Sequence, residues 1–149
     1  LGPAGTDFAW RQATEQPLII TPHPGEWSRL CGVRASDSAG QEQAAINWAE
    51  ELGITIVLKG HRTLITDGKS AVRNETGTPA MSTGGSGDVL TGIILALVCQ
   101  GLSHRDAAHL GVWVHGTAGE LASERLHSSH VVLPTDLIDS LPAAFLASH

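Results

Sequence analysis

Residues 83–88 read Thr-Gly-Gly-Ser-Gly-Asp, and the stretch that follows, to about Gln100, is apolar on nearly all sides of a helix. A helix of that kind must be buried, so the rest of the chain has to supply layers that cover it. Three glycines in four positions let successive backbone N–H groups point the same way without Cβ interference. The helix expected from about Asp88 to Gln100 adds its partial positive charge at the same place. Gly84, Gly85, Ser86 and Gly87 therefore form a candidate anion hole suited to a phosphate. The spacing is not a Walker A loop, because no Lys-Ser/Thr follows the glycines. Nor is it a strong dinucleotide fingerprint, because no strand precedes it.

The covering layers are readable in outline. Leu18-Ile19-Ile20 is a short apolar run ended by Thr21-Pro22 and predicts a buried strand. Pro24 stands where a helix can begin without losing a hydrogen bond, and Gly32 where it can end. From Ser38 to Leu52 the apolar positions Ala44, Ala45, Trp48, Ala49 and Leu52 recur at helical spacing, and Gly53 stops them. Ile54 to Leu58 is β-branched and predicts an interior strand. Leu64–Thr66 and Ala71–Arg73 flank Asp67-Gly68, a hairpin signal, and residues 74–87 read as loop.

After Gly101, Ser103 caps a helix from His104 to about Leu121 with a stripe of Ala107, Ala108, Leu110, Gly111, Val114, Ala118 and Leu121. Val131 to Leu133 reads as a short extended segment, Pro134 to about Phe145 as a last helix, and Asp7 to Thr14 as a short helix. Strands that alternate with helices predict an α/β architecture.

Composition narrows the function classes. Nine basic and 15 acidic residues among 149 give a net charge of −6, which disfavours a nucleic-acid surface. Hydrophobic residues at 42% and charged ones at 16% are a globular balance. No apolar run approaches the roughly 18 residues of a membrane span, and no secretory signal is visible, so the expected setting is cytoplasmic and away from membranes. Cys31 and Cys99 match no zinc or redox spacing and read as two buried thiols in a reducing compartment. His104, His109 and His115 fall on different helical faces, so no metal site is expected from them.

Three short segments carry the chemistry. Asp88 is either a first-turn acid stabilised by the helix dipole or a general base that takes a proton from an attacking hydroxyl. His23, between Pro22 and Pro24 at a strand end, is either a loop histidine without a partner or a ligand contact, and Glu26 is either a helix first-turn acid or a ligand contact. Lys59 emerges from the most apolar strand beside Gly60. It either snorkels to water or reaches a nucleotide phosphate as a point charge.

In order along the chain stand Thr21-Pro22-His23-Pro24-Gly25-Glu26, then Lys59-Gly60-x-x-Thr63, then Asn74-x-Thr76-Gly77-x-Pro79-x-Met81-x-Thr83-Gly84-Gly85-Ser86-Gly87-Asp88-Val89-Leu90-Thr91-Gly92. This series resembles the NAD(P)H-hydrate dehydratases, which are ribokinase-like enzymes. His115-Gly116-x-Ala118-Gly119 and Thr135-Asp136-Leu137-Ile138 are similar to the C-terminal region of that family. Thr78, Ala80 and Ser82 stand where the family has Asn, Gly and Ala, all small residues.

The resemblance implies a three-layer ribokinase-like fold, of which residues 1–149 are the C-terminal portion. It implies dehydration of the S epimer of hydrated NADH or NADPH with ADP or ATP as co-substrate and Mg²⁺. Asp88 would be the catalytic base and contact the substrate, as would His23. Lys59, Gly60, His61, Arg62, Thr63 and Gly87 would hold the adenine nucleotide, and Gly84 to Gly87 would form the anion hole. A homo-oligomeric full-length form is implied, and a fused epimerase domain is left open.

The chain opens on Leu1-Gly2-Pro3-Ala4-Gly5, and the early strands, Gly-Pro-Gly-type loop and Asp-Ala-Asp segment of the family are not in it. It is therefore expected to be a piece of a longer enzyme, with weak or no turnover by itself. Two alternatives stay open: a hydroxymethylpyrimidine or thiazole kinase of the same fold, and a truncated, non-catalytic nucleotide-binding fragment.

Overall fold

The structure, a computed structural model, describes residues 17–127 and 131–148. The helix expected over Asp7–Thr14 lies outside those residues. The chain divides into two compact units, residues 1–73 and 74–149.

The first unit is built on the β-branched run. Strand β2 (Thr55–Leu58) is buried at all four positions and lies inside a four-stranded sheet of order β1-β2-β3-β4. Strand β1 (Ile19–Ile20) runs parallel to it, with Ile19 opposite Thr55 and Ile20 opposite Ile56. A parallel pair needs a long crossover. Helices α1 (Pro24–Cys31) and α2 (Ser38–Leu52) provide it, each ended by a left-handed glycine, Gly32 and Gly53. Strands β3 (Leu64–Thr66) and β4 (Ala71–Arg73) then add on as an antiparallel meander.

The β3–β4 turn is held by Asp67, whose Oδ1 accepts from the amides of Lys69 (3.0 Å) and Ser70 (2.8 Å). Gly68 at φ 84° is required there, because a Cβ would lie 2.3 Å from the Glu50 backbone nitrogen. Trp27, Ala45, Ala49, Ile54, Ile56, Leu58 and Leu64 form the core of this unit. Trp27 meets Trp48 edge to face at 5.0 Å, and its indole N–H reaches the Gln41 carbonyl at 3.0 Å.

The second unit is helical. A loop with a 3₁₀ turn at Pro79–Met81 leads into α3 (Ser86–Cys99), α4 (His104–Arg125) and α5 (Pro134–Leu146). Helix α3 does not match the expectation of burial on all sides. Ser86, Leu90, Ile93, Ile94 and Leu97 are buried, yet Leu95 is 61% exposed and Cys99 is exposed rather than a buried thiol. The buried positions form one helical stripe, and α4 packs on it so closely that a Cβ at Gly111 would lie 2.6 Å from Ile94 Cγ1. Val131–Leu133 forms no strand. The Val132 amide bonds the Ala80 carbonyl at 3.0 Å, and the Leu133 amide is taken by the Asp136 carboxylate at 2.9 Å, which starts α5 instead.

Small residues govern the other face of α4. A Cβ at Gly119 would fall 2.1 Å from Met81 Sδ, and one at Gly116 would fall 2.2 Å from Thr76 Oγ1 and 2.7 Å from the Thr76 carbonyl carbon. The loop from Asn74 to Met81 therefore lies directly against helix backbone. It is tied down by Thr76 Oγ1 to the Trp113 carbonyl (3.1 Å) and by the Gly77 amide to Glu120 Oε1 (2.8 Å).

Alanine is the better helix former, but at position 116 the clash is with backbone, which cannot swing aside. Gly116→Ala is expected to destabilise the protein by about 1–3 kcal/mol. A urea midpoint equal to or above that of the wild type would contradict this packing.

Candidate active site

The first unit gathers three of the candidate residues. His23 is not a partnerless loop histidine. With extended backbone (φ −84°, ψ 164°) it is the N-cap of α1. Its Nδ1 accepts from the amides of Gly25 (3.0 Å) and Glu26 (3.2 Å), so that nitrogen carries no proton. Glu26 closes the box by accepting from the His23 amide at 2.7 Å, and its other oxygen lies 3.4 Å from His23 Nε2.

The parallel register brings Lys59 to the same point. Its amide bonds the Pro22 carbonyl at 2.9 Å, and its Nζ stands 4.0 Å from Glu26 Oε2. The His23 N–H holds the Glu26 carboxyl below its ordinary value. Burial opposes this, and the nearby charges of Lys59 and Arg29 add to it. Residues 60–63 turn from β2 into β3, with Thr63 Oγ1 3.4 Å from the Gly60 carbonyl. His61 and Arg62 are exposed, a Cβ at Gly60 would meet nothing within 4 Å, and Arg62 holds a left-handed φ of 121° that costs a non-glycine residue energy.

The second unit carries the glycine loop. Helix α3 begins at Ser86, two residues before the expected start. The turn is already closed there by bonds from the Asp88 and Val89 amides to the Gly85 carbonyl, both 3.1 Å. The other four α-helix starts among the described residues are closed by side chains. Glu26 and Asp136 return to the N-cap amides of α1 and α5, while Asp37 and Ser103 accept from Gly40 (3.0 Å) and Asp106 (3.1 Å) in α2 and α4.

At α3 the N-cap is Gly85, left-handed at φ 91°, with no side-chain cap. Asp88 occupies the same third helical position as Glu26 and Asp136, but its exposed carboxylate does not close on the Gly85 amide. The Ser86 amide makes a long bond to the Thr83 carbonyl (3.3 Å). The amides of Gly84, Gly85 and Gly87 find no acceptor among the described residues. A Cβ at Gly84 would have nothing within 4 Å, which leaves room for a ligand beside these donors. Uncapped amides of this kind at a helix start suit a phosphate.

Two further contacts support this loop. Thr83 Oγ1 bonds the Val132 carbonyl at 2.8 Å, and His115 Nε2 lies 2.9 Å from the Ser86 carbonyl oxygen and 3.3 Å from Ser86 Oγ. Their sequence signal is faint. It consists of Gly111, Gly116 and Gly119 inside a long helix, where glycine is unfavourable unless something packs close. Among the described residues no three His, Cys, Asp or Glu side chains are placed to hold a metal ion. The glycine loop thus presents donors that suit an anion, while the described residues supply no cage for Mg²⁺, an ion that commonly travels on phosphate oxygens and water.

The Glu26 shift has a pH signature. A carboxyl with a lowered folded value contributes stability that is complete above its unfolded value of about 4.3, and that is lost as the pH falls through the folded value. The stability advantage of the wild type over Glu26→Gln, read from denaturant melts between about pH 6 and pH 2, is expected to shrink toward acid. An advantage constant across that range would contradict the role of Glu26.

Comparison with known proteins adds the family. A sequence model described as NAD(P)H-hydrate dehydratase matches residues 6–143. The ADP-dependent (S)-NAD(P)H-hydrate dehydratase of Bacillus subtilis is 41% identical over 134 residues, which cover 86% of this chain and 47% of that protein. The crystal structure of the ADP/ATP-dependent enzyme of that organism, co-crystallised with ATP/Mg²⁺, superposes with a TM-score of 0.82 at 37% identity, covering 89% of this chain and 48% of that one. A ribokinase-like superfamily protein of Enterococcus faecalis superposes at 0.73 with 31% identity, covering 93% and 49%. The chain thus spans about half the length of these relatives, and its fold is ribokinase-like. With its helix start left open behind the glycine loop and the family model matched along most of its length, the chain belongs to the NAD(P)H-hydrate dehydratase family.

Proposed function

We propose that this chain is the C-terminal portion of a single ribokinase-like domain that dehydrates the S epimer of hydrated NADH and NADPH at the expense of ADP or ATP. The uncapped start of α3 carries the reading. Three amides without an acceptor among the described residues and an adjacent exposed carboxylate are what transfer of a phosphoryl group to a hydroxyl requires. The likeness to dehydratases at about 40% identity favours hydrated nicotinamide over the hydroxymethylpyrimidine or thiazole alcohols as acceptor, and an enzyme portion over a purely binding fragment.

In this reading Asp88 takes the proton of the substrate hydroxyl. The hydroxyl oxygen attacks the terminal phosphorus of the nucleotide, and the bridging P–O bond breaks, so that ADP leaves as AMP or ATP as ADP. Hydroxide is a poor leaving group and phosphate a good one. The C–O bond then breaks with departure of phosphate, and a neighbouring carbon gives up a proton. Gly84, Gly85, Ser86 and Gly87 cradle the migrating phosphoryl group. Lys59, Gly60, His61, Arg62, Thr63 and Gly87 hold the adenine nucleotide, and His23 contacts the hydrated dinucleotide. Mg²⁺, carried by the nucleotide, supplies charge neutralisation at the phosphates. A homo-oligomeric full-length form and a cytoplasmic setting belong to the same reading.

The test is recovery of NADH from its hydrate in the presence of ADP or ATP and Mg²⁺, by the full-length protein that contains this sequence. Asp88→Asn is expected to lower kcat by about 10²–10⁴-fold with the fold intact. A full-rate Asn variant would remove the assigned base, and phosphorylated vitamin-precursor alcohols in place of NADH would reverse the choice of substrate. Lys59→Ala is expected to raise the Kd for ADP by about 10–100-fold, the loss of a charge-assisted contact. Unchanged affinity by calorimetry would take Lys59 out of the nucleotide site.

A further inference from the structure

We propose that His115 is a positioning residue that aims the Gly87 amide into the anion hole by holding the carbonyl of the same peptide unit. The inference rests on the dehydratase reading for its ligand, and on geometry within residues 74–149 for its substance. Ser86 C=O and Gly87 N–H belong to one planar trans peptide, so their directions are opposed and locked together. His115 Nε2 lies 2.9 Å from that carbonyl oxygen, which can only accept, so Nε2 carries the proton. The peptide lies in the first turn of α3, and the imidazole from α4 gives its carbonyl a second anchor, so the opposed Gly87 N–H keeps its direction. This donor has no acceptor among the described residues. Donation into the carbonyl also polarises the peptide and strengthens its N–H as a donor.

The same ring nitrogen sets the role of the Ser86 hydroxyl. Ser86 Oγ lies 3.3 Å from His115 Nε2. Because Nε2 is protonated, Oγ accepts there and keeps its own hydrogen for another partner. Ser86 is only 8% exposed, and no acceptor for that hydrogen is found among the described residues. One histidine thereby prepares two donors, the Gly87 amide and the Ser86 hydroxyl. Gly116, the next residue on α4, is needed for the Thr76 backbone to pack at that level, which explains why the histidine sits on a stretch of helix unusually rich in glycine.

The experiment compares the wild type with His115→Leu, which removes the donor, and His115→Gln, whose terminal amide places an N–H near the Nε2 position. Three quantities are read: the ring ¹⁵N signals of His115, the Gly87 amide resonance without ligand, and the Kd for ADP by calorimetry. The proposal expects an Nε2-protonated ring, a Gly87 resonance displaced in the Leu variant and restored toward wild type in the Gln variant, and an ADP Kd raised about tenfold by Leu and less than threefold by Gln. A purely structural role would lower Tm in both variants without rescue at Gly87.

An Nδ1-protonated ring, or a folded Leu variant with unmoved Gly87 resonance and unchanged Kd, overturns the proposal. If Leu does not fold, a Gln variant whose Gly87 resonance and ADP affinity are both far from wild type overturns it. Absence of ADP binding by the wild type defeats the dehydratase reading instead, and the Gly87 resonance still decides the positioning bond.

Discussion

The close approach of the Asn74–Met81 loop to the backbone of α4 is the constraint on which the second unit depends. It is possible only because positions 116 and 119 carry no side chain. From it follow the bonds that hold Thr76 and Gly77 to that helix, the path of the chain through the 3₁₀ turn, and the placement of the Gly84–Gly87 segment at the start of α3. A helix interior tolerates glycine poorly, and the compensation here is packing and hydrogen bonding that a methyl group would prevent.

Helix starts among the described residues have two contrasting fates. Four are closed by their own side chains, which is the usual way to satisfy the first amides. The fifth, at Ser86, has an acid in the position that closes α1 and α5, yet that acid leaves the N-cap amide open. An open helix start with glycine as N-cap gives up roughly a few tenths of a kcal/mol of capping stability, and it leaves backbone donors without an acceptor among the described residues. The His23–Glu26 box shows the opposite use of the same chemistry, and there Lys59 stands near a carboxylate already engaged by the chain.

Most elements were legible because punctuation and period agree. Helix α2 begins and ends as Ser38, Leu52 and Gly53 predict, and β2 is buried as its β-branched run requires. Helix α3 starts two residues before its sequence pattern predicts, because Gly87 looks like loop, whereas backbone bonds to Gly85 already make it helix. Periodicity overstated the burial of α3, since hydrophobicity says what tolerates burial and only the neighbours decide which side is covered. His23 was legible as a residue of interest but not as a helix cap, because capping by an imidazole falls outside the usual Ser, Thr, Asp and Asn signal. The contact of His115 with Ser86 joins residues 29 apart and leaves no local pattern to read.

The central claim is that the uncapped amides at the start of α3 grip an anion. Titration of ADP into the ¹⁵N-labelled protein tests it most directly. The account predicts that the amide resonances of Gly84, Gly85 and Gly87 move together and saturably, while those of Gly25 and Gly40, at capped helix starts elsewhere in the chain, move far less. Saturable binding that leaves the three loop glycines in place would contradict it.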